Sequence, residues 1–400
     1  MATAAAHASE TSLLRYSRWM LYTTVGAMPL YVVRWKYGPL PTTLLETLII
    51  VTVALYVIAR WREGMRRPTR TWLEIPIVLL LVAGAISVVV ASDHRGALGL
   101  YRAYFVEPIA IFYVAIDLLN TSERAVRAVA TFAIGSSAFA VINLVVFARA
   151  FVAHAVNVGS APNAFYGDAN YVAMYMEPPV ALAVGVLIFA PTARARLLGG
   201  AWVGLTGAAL LVMFSKGSWV ALLALVLVVV ITAPGWWRLA TAGALVVGAV
   251  VATQIPLVMA RLATVPPSIN GRQAIFGAAV DMIRAHPILG VGLGGFSYEF
   301  RGVSPEIYPH DIWLTFWVEV GLLGVAAFAI VLFGLLWTGW RAWPSTRAWQ
   351  CTVLWGVLTA LVLWTIHGFV DSPYWKNDMS VEFWTLAALQ VVTLRAIRQA

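Results

Sequence analysis

Cysteine is almost missing from these 400 residues. Cys351 stands alone, which excludes an internal disulfide, a Cys-rich zinc site and a Cys-ligated cluster. It sits inside an apolar run, where a free cysteine acts as a small buried hydrophobe. Charge is scarce as well: Asp, Glu, Lys and Arg make up 11% of the chain, against about 25% in a typical soluble domain. So few charges cannot cover a surface that faces water. A cleavable signal is not visible either. Met1–Thr11 is Ala-rich and polar, with no short apolar core and small-residue cleavage site behind it. The first apolar segment is expected to stay as an anchor.

What is present is apolar. Hydrophobic residues are 61% and mean hydropathy is +0.83, so the solvent of this chain is mostly lipid. Eighteen Trp and 14 Tyr suit a protein that needs amphipathic rings at two membrane interfaces. The net charge of +9 raises nucleic acid as a partner, but the basic residues form no domain. They lie in short loops between apolar runs, which is the pattern of membrane topology.

A span needs about 20 apolar residues. The sequence reads as an all-α integral membrane protein of about 12 transmembrane helices, one polytopic domain over 1–400. The candidates are Leu14–Val33, Thr42–Ile58, Leu73–Ala91, Ala97–Leu119, Ala125–Phe147, Ala169–Ala190, Leu197–Phe214, Trp219–Thr232, Leu239–Ile255, Ile312–Thr338, Trp349–Val370 and Val381–Leu394. Gly26 and Pro29 interrupt the first. An even count puts both termini on one side. Most of the Lys and Arg, with the densest group at Arg60–Arg70, fall on that side, so both termini are expected in the cytoplasm.

The cations on the opposite face are the informative ones: Arg34, Lys36, Arg95, Arg102, Arg149, Lys216, Arg261, Arg272, Arg284, Arg301 and Lys376. Arg102 and Lys216 stand at span ends, where a charge is costly and functional by default. Snorkelling to the interface is the plainer account. Together these cations suggest an anionic ligand such as a pyrophosphate.

One outward loop, 256–311, is long, and long ordered loops are usually functional. Within it, Arg272–Ala285 places Ile275, Ala279, Met282 and Ile283 at helical spacing, with Arg272 and Arg284 elsewhere on the wheel. That reads as an amphipathic helix on the outer membrane face. The run from Gly290 to Gly295 could cradle phosphate, but no buried parallel strand precedes it, and a tight turn fits better. The loop ends Tyr308-Pro309-His310-Asp311. A histidine at the mouth of a span can take a proton near neutral pH; an interfacial structural histidine is the alternative.

His310-Asp311, nine residues, then Gly321-Leu322-Leu323-Gly324 resembles the late-loop signature of the O-antigen ligase and O-antigen polymerase superfamily of bacterial membrane glycosyltransferases. That signature usually has Asn, Ser or Gln where this chain has Asp311. Arg272, His286-Pro287 and the Gly290–Phe296 run resemble the family's loop helix and its glycine-rich ending. Phe214-Ser215-Lys216-Gly217-Ser218-Trp219 resembles its Ser-Arg-Gly segment, with Lys in place of Arg; the charge stays but the bidentate fork is lost.

The resemblance implies transfer of a sugar chain from undecaprenyl pyrophosphate to an acceptor hydroxyl, on a glycan or glycolipid, at the outer face of the bacterial cytoplasmic membrane. It implies His310 as base or acceptor-positioning group and Lys216 and Arg272 as pyrophosphate contacts; Arg102 joins them by its outward span-end position. No metal or cofactor is expected, in keeping with the lack of an Asp-x-Asp pair in the outward loops. Arg284, Asp311, Asp168, Asn170, His367, Asp371 and Lys376 are pocket candidates, although the segments 163–171 and 367–378 read more readily as an interfacial turn and an internally paired turn. Ligase and polymerase differ only in acceptor. A reading of another class, a secondary transporter or lipid scramblase, would use the intramembrane Glu107, Glu177 and Glu319 with Arg102 as an ion path.

Overall fold

A computed structural model describes residues 11–38, 40–64, 70–300, 307–343 and 349–399. Arg66, Arg67, Arg301 and Arg347, which bear on the topology reading, lie outside the described residues. The described residues of the chain are mostly helical. Its helices are α1 (Ser12–Gly26), α2 (Leu44–Arg62), α3 (Glu74–Val90), α4 (His94–Tyr101), α5 (Glu107–Leu118), α6 (Ser122–Val152), α7 (Ala169–Phe189), α8 (Ala193–Val212), α9 (Lys216–Thr232), α10 (Trp237–Ala252), α11 (Pro256–Ala263), α12 (Val265–Ala285), α13 (Gly295–Glu299), α14 (Ile312–Ala342), α15 (Trp349–His367) and α16 (Asn377–Gln399). A short hairpin that the apolar pattern does not announce, Arg34–Tyr37 with Leu40–Thr43, joins α1 to α2; Arg34 pairs with Thr43.

Among the described residues, eight helices are long and apolar enough to cross a bilayer, or nine if the α10–α11 pair, bent by 86°, is one broken span. The other expected spans fall short for visible reasons. The first stops at Gly26, ahead of a 3-10 turn carrying Pro29, so α1 has 15 residues. The helices α3 and α9 have 17 residues each. Helix α4 and α5 run on through one π-helical turn, Arg102–Val106, as a single apolar span.

Local chemistry sets most starts. Thr43 and Glu46 form a reciprocal capping box on α2. Asp168, Thr192, Ser215 and Asp311 each accept a main-chain N–H at the head of α7, α8, α9 and α14. The core centres on α7, α15, α16 and the aromatic cluster of Trp364, Tyr374, Phe383, Trp384 and Phe316. By contrast, no residue of α10 or α11 is buried.

The long loop is mostly helix. The amphipathic helix expected at 272–285 extends over all of α12, and its Ala279 and Ile283 pack on Val318 and Phe296. The glycine-rich run follows and is a structural turn. Its amides serve protein acceptors: Gly290 N donates to His286 O, Val291 N to Val318 O and Gly294 N to Glu319 Oε2. It seats in a break of α14 at Gly321, whose φ of 78° and ψ of −177° leave the helical region. A Cβ on Gly321 would stand 2.4 Å from Ile288 O, so only glycine allows the two backbones to meet.

Candidate functional site

The site is assembled from turns at the ends of α7, α9, α14 and α15. His310 immediately precedes the Asp311 cap of α14 and has φ 55°, in the left-handed region. Such a conformation costs about 1–3 kcal/mol and persists where surrounding structure holds it. Its Nδ1 lies 3.2 Å from Asp371 Oδ1. The adjacent carboxylate is therefore not its partner: Asp311 turns away to accept Leu314 N at 2.8 Å and cap the helix. Asp371, in the turn after α15, is fully buried and accepts from His310, from Asn170 Nδ2 and from Ser372 N. Burial alone would push its carboxyl up, but the His310 bond and charge, the charge of His367 and the Ser372 amide outweigh it and hold the group down to about 2. A carboxylate engaging Nδ1 fixes the ring and leaves Nε2 as the basic nitrogen.

Asn170 extends this pair. Its side chain donates to Asp371 and accepts from Ser215 Oγ, and Ser215 caps α9, whose first residue is Lys216. Lys216 Nζ donates to Thr264 O at 2.7 Å, between α11 and α12. Arg261 Nε donates to Phe214 O at 2.8 Å. The charges of Arg261 and Arg272 both bear on Lys216, and that of Arg272 also reaches His367. Arg272 is half-buried and, among the described residues, makes no hydrogen bond or ion pair of its own. Three cations thus gather around the start of α9, a helix end that itself favours anions.

His367 lies behind this start, buried, with Nδ1 2.5 Å from Glu177 Oε1. Lys376 stands on the other side of Asn170. Its Nζ sits 3.5 Å from the Tyr171 ring centre and 3.0 Å from the Tyr31 hydroxyl, with the Tyr166 ring at 5.7 Å. Burial lowers its pKa, with Asp378, Asp168 and Asp371 opposing. Tyr308 packs edge-on against His310 at 5.0 Å and tilts toward Tyr171. Asp168 caps α7 and feels both Lys376 and Arg261.

Two expected members are engaged by carboxylates of their own. Arg102 pairs with Glu46 at 3.0 Å and Glu107 at 3.2 Å, so its charge is already met by carboxylates. Arg284 is exposed on α12, where it pairs with Asp281 one turn earlier. Ser215, Tyr31 and Tyr166 were not anticipated as site members. The Ser215-Lys216-Gly217 order carried a signal for the first, whereas nothing in the spacing links Tyr31 to Lys376.

Residues 199–329 match the family model described as O-Antigen ligase. The matched segment runs from α8 into α14 and holds Lys216, Arg261, Arg272 and His310, so over this third of the chain it is similar to O-antigen ligases, the family that the His310 block resembles. The family is one of membrane glycan-transfer enzymes, and the apolar helices agree with a multi-pass membrane protein. A second similarity is to the chloramphenicol-sensitive protein RarD of Pseudomonas aeruginosa, 30% identical over 122 residues, 29% of this chain. The chain spans 41% of that relative's length.

Proposed function

We propose that this protein transfers a glycan from an undecaprenyl-pyrophosphate donor to an acceptor hydroxyl at the outer face of the bacterial cytoplasmic membrane. The observation that carries the proposal is one hydrogen-bonded line, His310–Asp371–Asn170–Ser215, which ends at the cations around the head of α9. His310 takes the acceptor's proton, and the oxygen attacks the anomeric carbon. The bond from that carbon to the diphosphate breaks. Lys216, Arg261 and Arg272 meet the negative charge that grows on the leaving group. Base assistance of this kind is worth roughly 10²–10⁴-fold. The chain is read with its twelve apolar segments crossing the membrane, both termini in the cytoplasm and the 256–311 loop outside. Ligase and polymerase activities use the same site and differ in whether the acceptor is a core glycolipid or another repeat unit.

The transporter reading needs Glu107, Glu177 and Glu319 to form a path. Each instead has a local partner: Arg102, His367, and the Gly294 amide with Trp375. Purified protein given a polyprenyl-diphosphate-linked oligosaccharide and a hydroxyl acceptor should release free polyprenyl diphosphate and extend the acceptor. A donor left intact overturns the proposal.

A further inference from the structure

A groove of about 440 Å³ lies between the start of α4 and the α13 segment, apart from the His310 line. Ser92, Asp93, Leu100, Leu293, Ser297 and Tyr298 line it, and the bare backbone of Gly294 and Gly295 opens its wall. We infer that this groove binds a sugar ring of the glycan remote from the reacting end; the inference rests on the transfer function proposed above.

Its chemistry differs from that of the reaction centre. Among the described residues no Lys or Arg lines it, whereas three cations gather at α9. A carboxylate flanked by serine hydroxyls accepts hydrogen bonds from the hydroxyl groups of a sugar. The Asp93 carboxylate is held in place, since one oxygen accepts Gly96 N at 3.0 Å. Tyr298 exposes 59% of its surface, and with the half-buried Leu100 it offers apolar faces for the C–H side of a pyranose. A few fixed polar groups among apolar walls is the usual make-up of a small-molecule site, and this volume lies in the usual range.

The groove is also mechanically tied to the chemistry. Gly294 N donates to Glu319 Oε2 at 3.0 Å, and Trp375 Nε1 reaches the same oxygen at 3.1 Å. Glu319 lies eight residues beyond Asp311 on α14, about 12 Å along the helix. Trp375 immediately precedes Lys376. A glycan with its reacting end at His310 could therefore rest a later ring in the groove.

The test uses the full chain in lipid nanodiscs with the exposed-residue variants Ser297→Trp, which fills the groove, and Tyr298→Ala. Polyprenyl-diphosphate donors carrying one sugar or several repeats are crossed with short and long acceptors. Both variants should raise KM at least tenfold for long substrates and leave the one-sugar donor with a short acceptor unchanged. A penalty that follows donor length assigns the groove to the donor glycan, and one that follows acceptor length assigns it to the acceptor. Equal kinetics at every length overturns the inference. If the wild type transfers nothing from any donor, the transfer function fails instead. The groove is then read by saturation-transfer NMR with the oligosaccharide freed from the donor by mild acid. A sugar signal on the wild type that Ser297→Trp removes sustains the groove, and no signal on the wild type overturns it.

Discussion

Gly217 and His367 touch across two helices: a Cβ at 217 would lie 2.4 Å from His367 Nε2. That imidazole cannot step aside, because it is buried and bound to Glu177. Gly217→Ala should therefore destabilise the protein by about 1–3 kcal/mol, the usual cost of overpacking, and displace the head of α9 with Lys216. A lower thermal midpoint together with reduced transfer is expected. A variant with wild-type stability and turnover would show that the two helices are free to part.

The His310–Asp371 pair should act as a unit. His310→Ala and Asp371→Asn are each expected to lower kcat by roughly 10²–10⁴-fold, with membrane insertion retained. The double variant should be little worse than either single one, since residues that work together are strongly non-additive. Additive losses would place the two groups in separate roles.

The pH dependence of stability follows from Asp371. Its carboxyl is held down to about 2 from an ordinary 3.8. The unfolded chain therefore binds its proton first as pH falls. Its stabilising contribution is fully present above about pH 4 and is lost as pH drops through about 2. Thermal unfolding between pH 5 and pH 2 should show this loss in the wild type, and Asp371→Asn should flatten it. An unchanged slope in the variant would count against the pair.

Lys376 titrates in the opposite region. Burial lowers its pKa from 10.5, so its charge is lost at lower pH than that of an ordinary lysine. The fold strains against the ammonium below that point and is relieved as pH rises through it. If the charge serves the donor or acceptor, transfer should fall on the alkaline side before 10.5. Lys376→Arg, which stays charged, should move that limb upward. A limb that does not move assigns it to another group.

Arg272 and Arg102 should separate donor binding from structure. Arg272→Ala is expected to raise the KM for the diphosphate donor at least tenfold with little change in thermal midpoint, because it has no hydrogen bond or ion pair among the described residues. Arg102→Ala should mainly lower the midpoint, since it leaves the buried Glu46 and Glu107 carboxylates without their cation. The reverse pattern would restore Arg102 to the donor site.

Much of this architecture was legible because lipid imposes a simple rule: long apolar runs become helices. The break of α1 could be read from Gly26 and Pro29, and the loop helix from the spacing of Ile275, Ala279, Met282 and Ile283. The crossing lengths of α3 and α9 could not, because a run of apolar residues does not say where its caps fall. Lys216 stands out as a charge in a costly place, and His310 and Arg272 by the motifs they belong to. Their partners do not. Asp371 is 61 residues from His310 and Asn170 is 45 from Ser215, so only the packing of α7, α9 and α15 reveals the line. Arg102 misled for a physical reason: a lone cation at a span end looks available until its carboxylates, Glu46 and Glu107, arrive from α2 and α5.

The break in α14 is sealed. Val291 N reaches Val318 O at 2.7 Å and Leu322 N reaches Ile288 O at 2.9 Å, so the intruding loop replaces the turn that Gly321 interrupts. A joint stitched on both sides behaves as a weld and not as a pivot. The imidazole and the glycine-rich arch are thus cast as one piece, and any widening of this region falls to α10 and α11, which bury none of their residues.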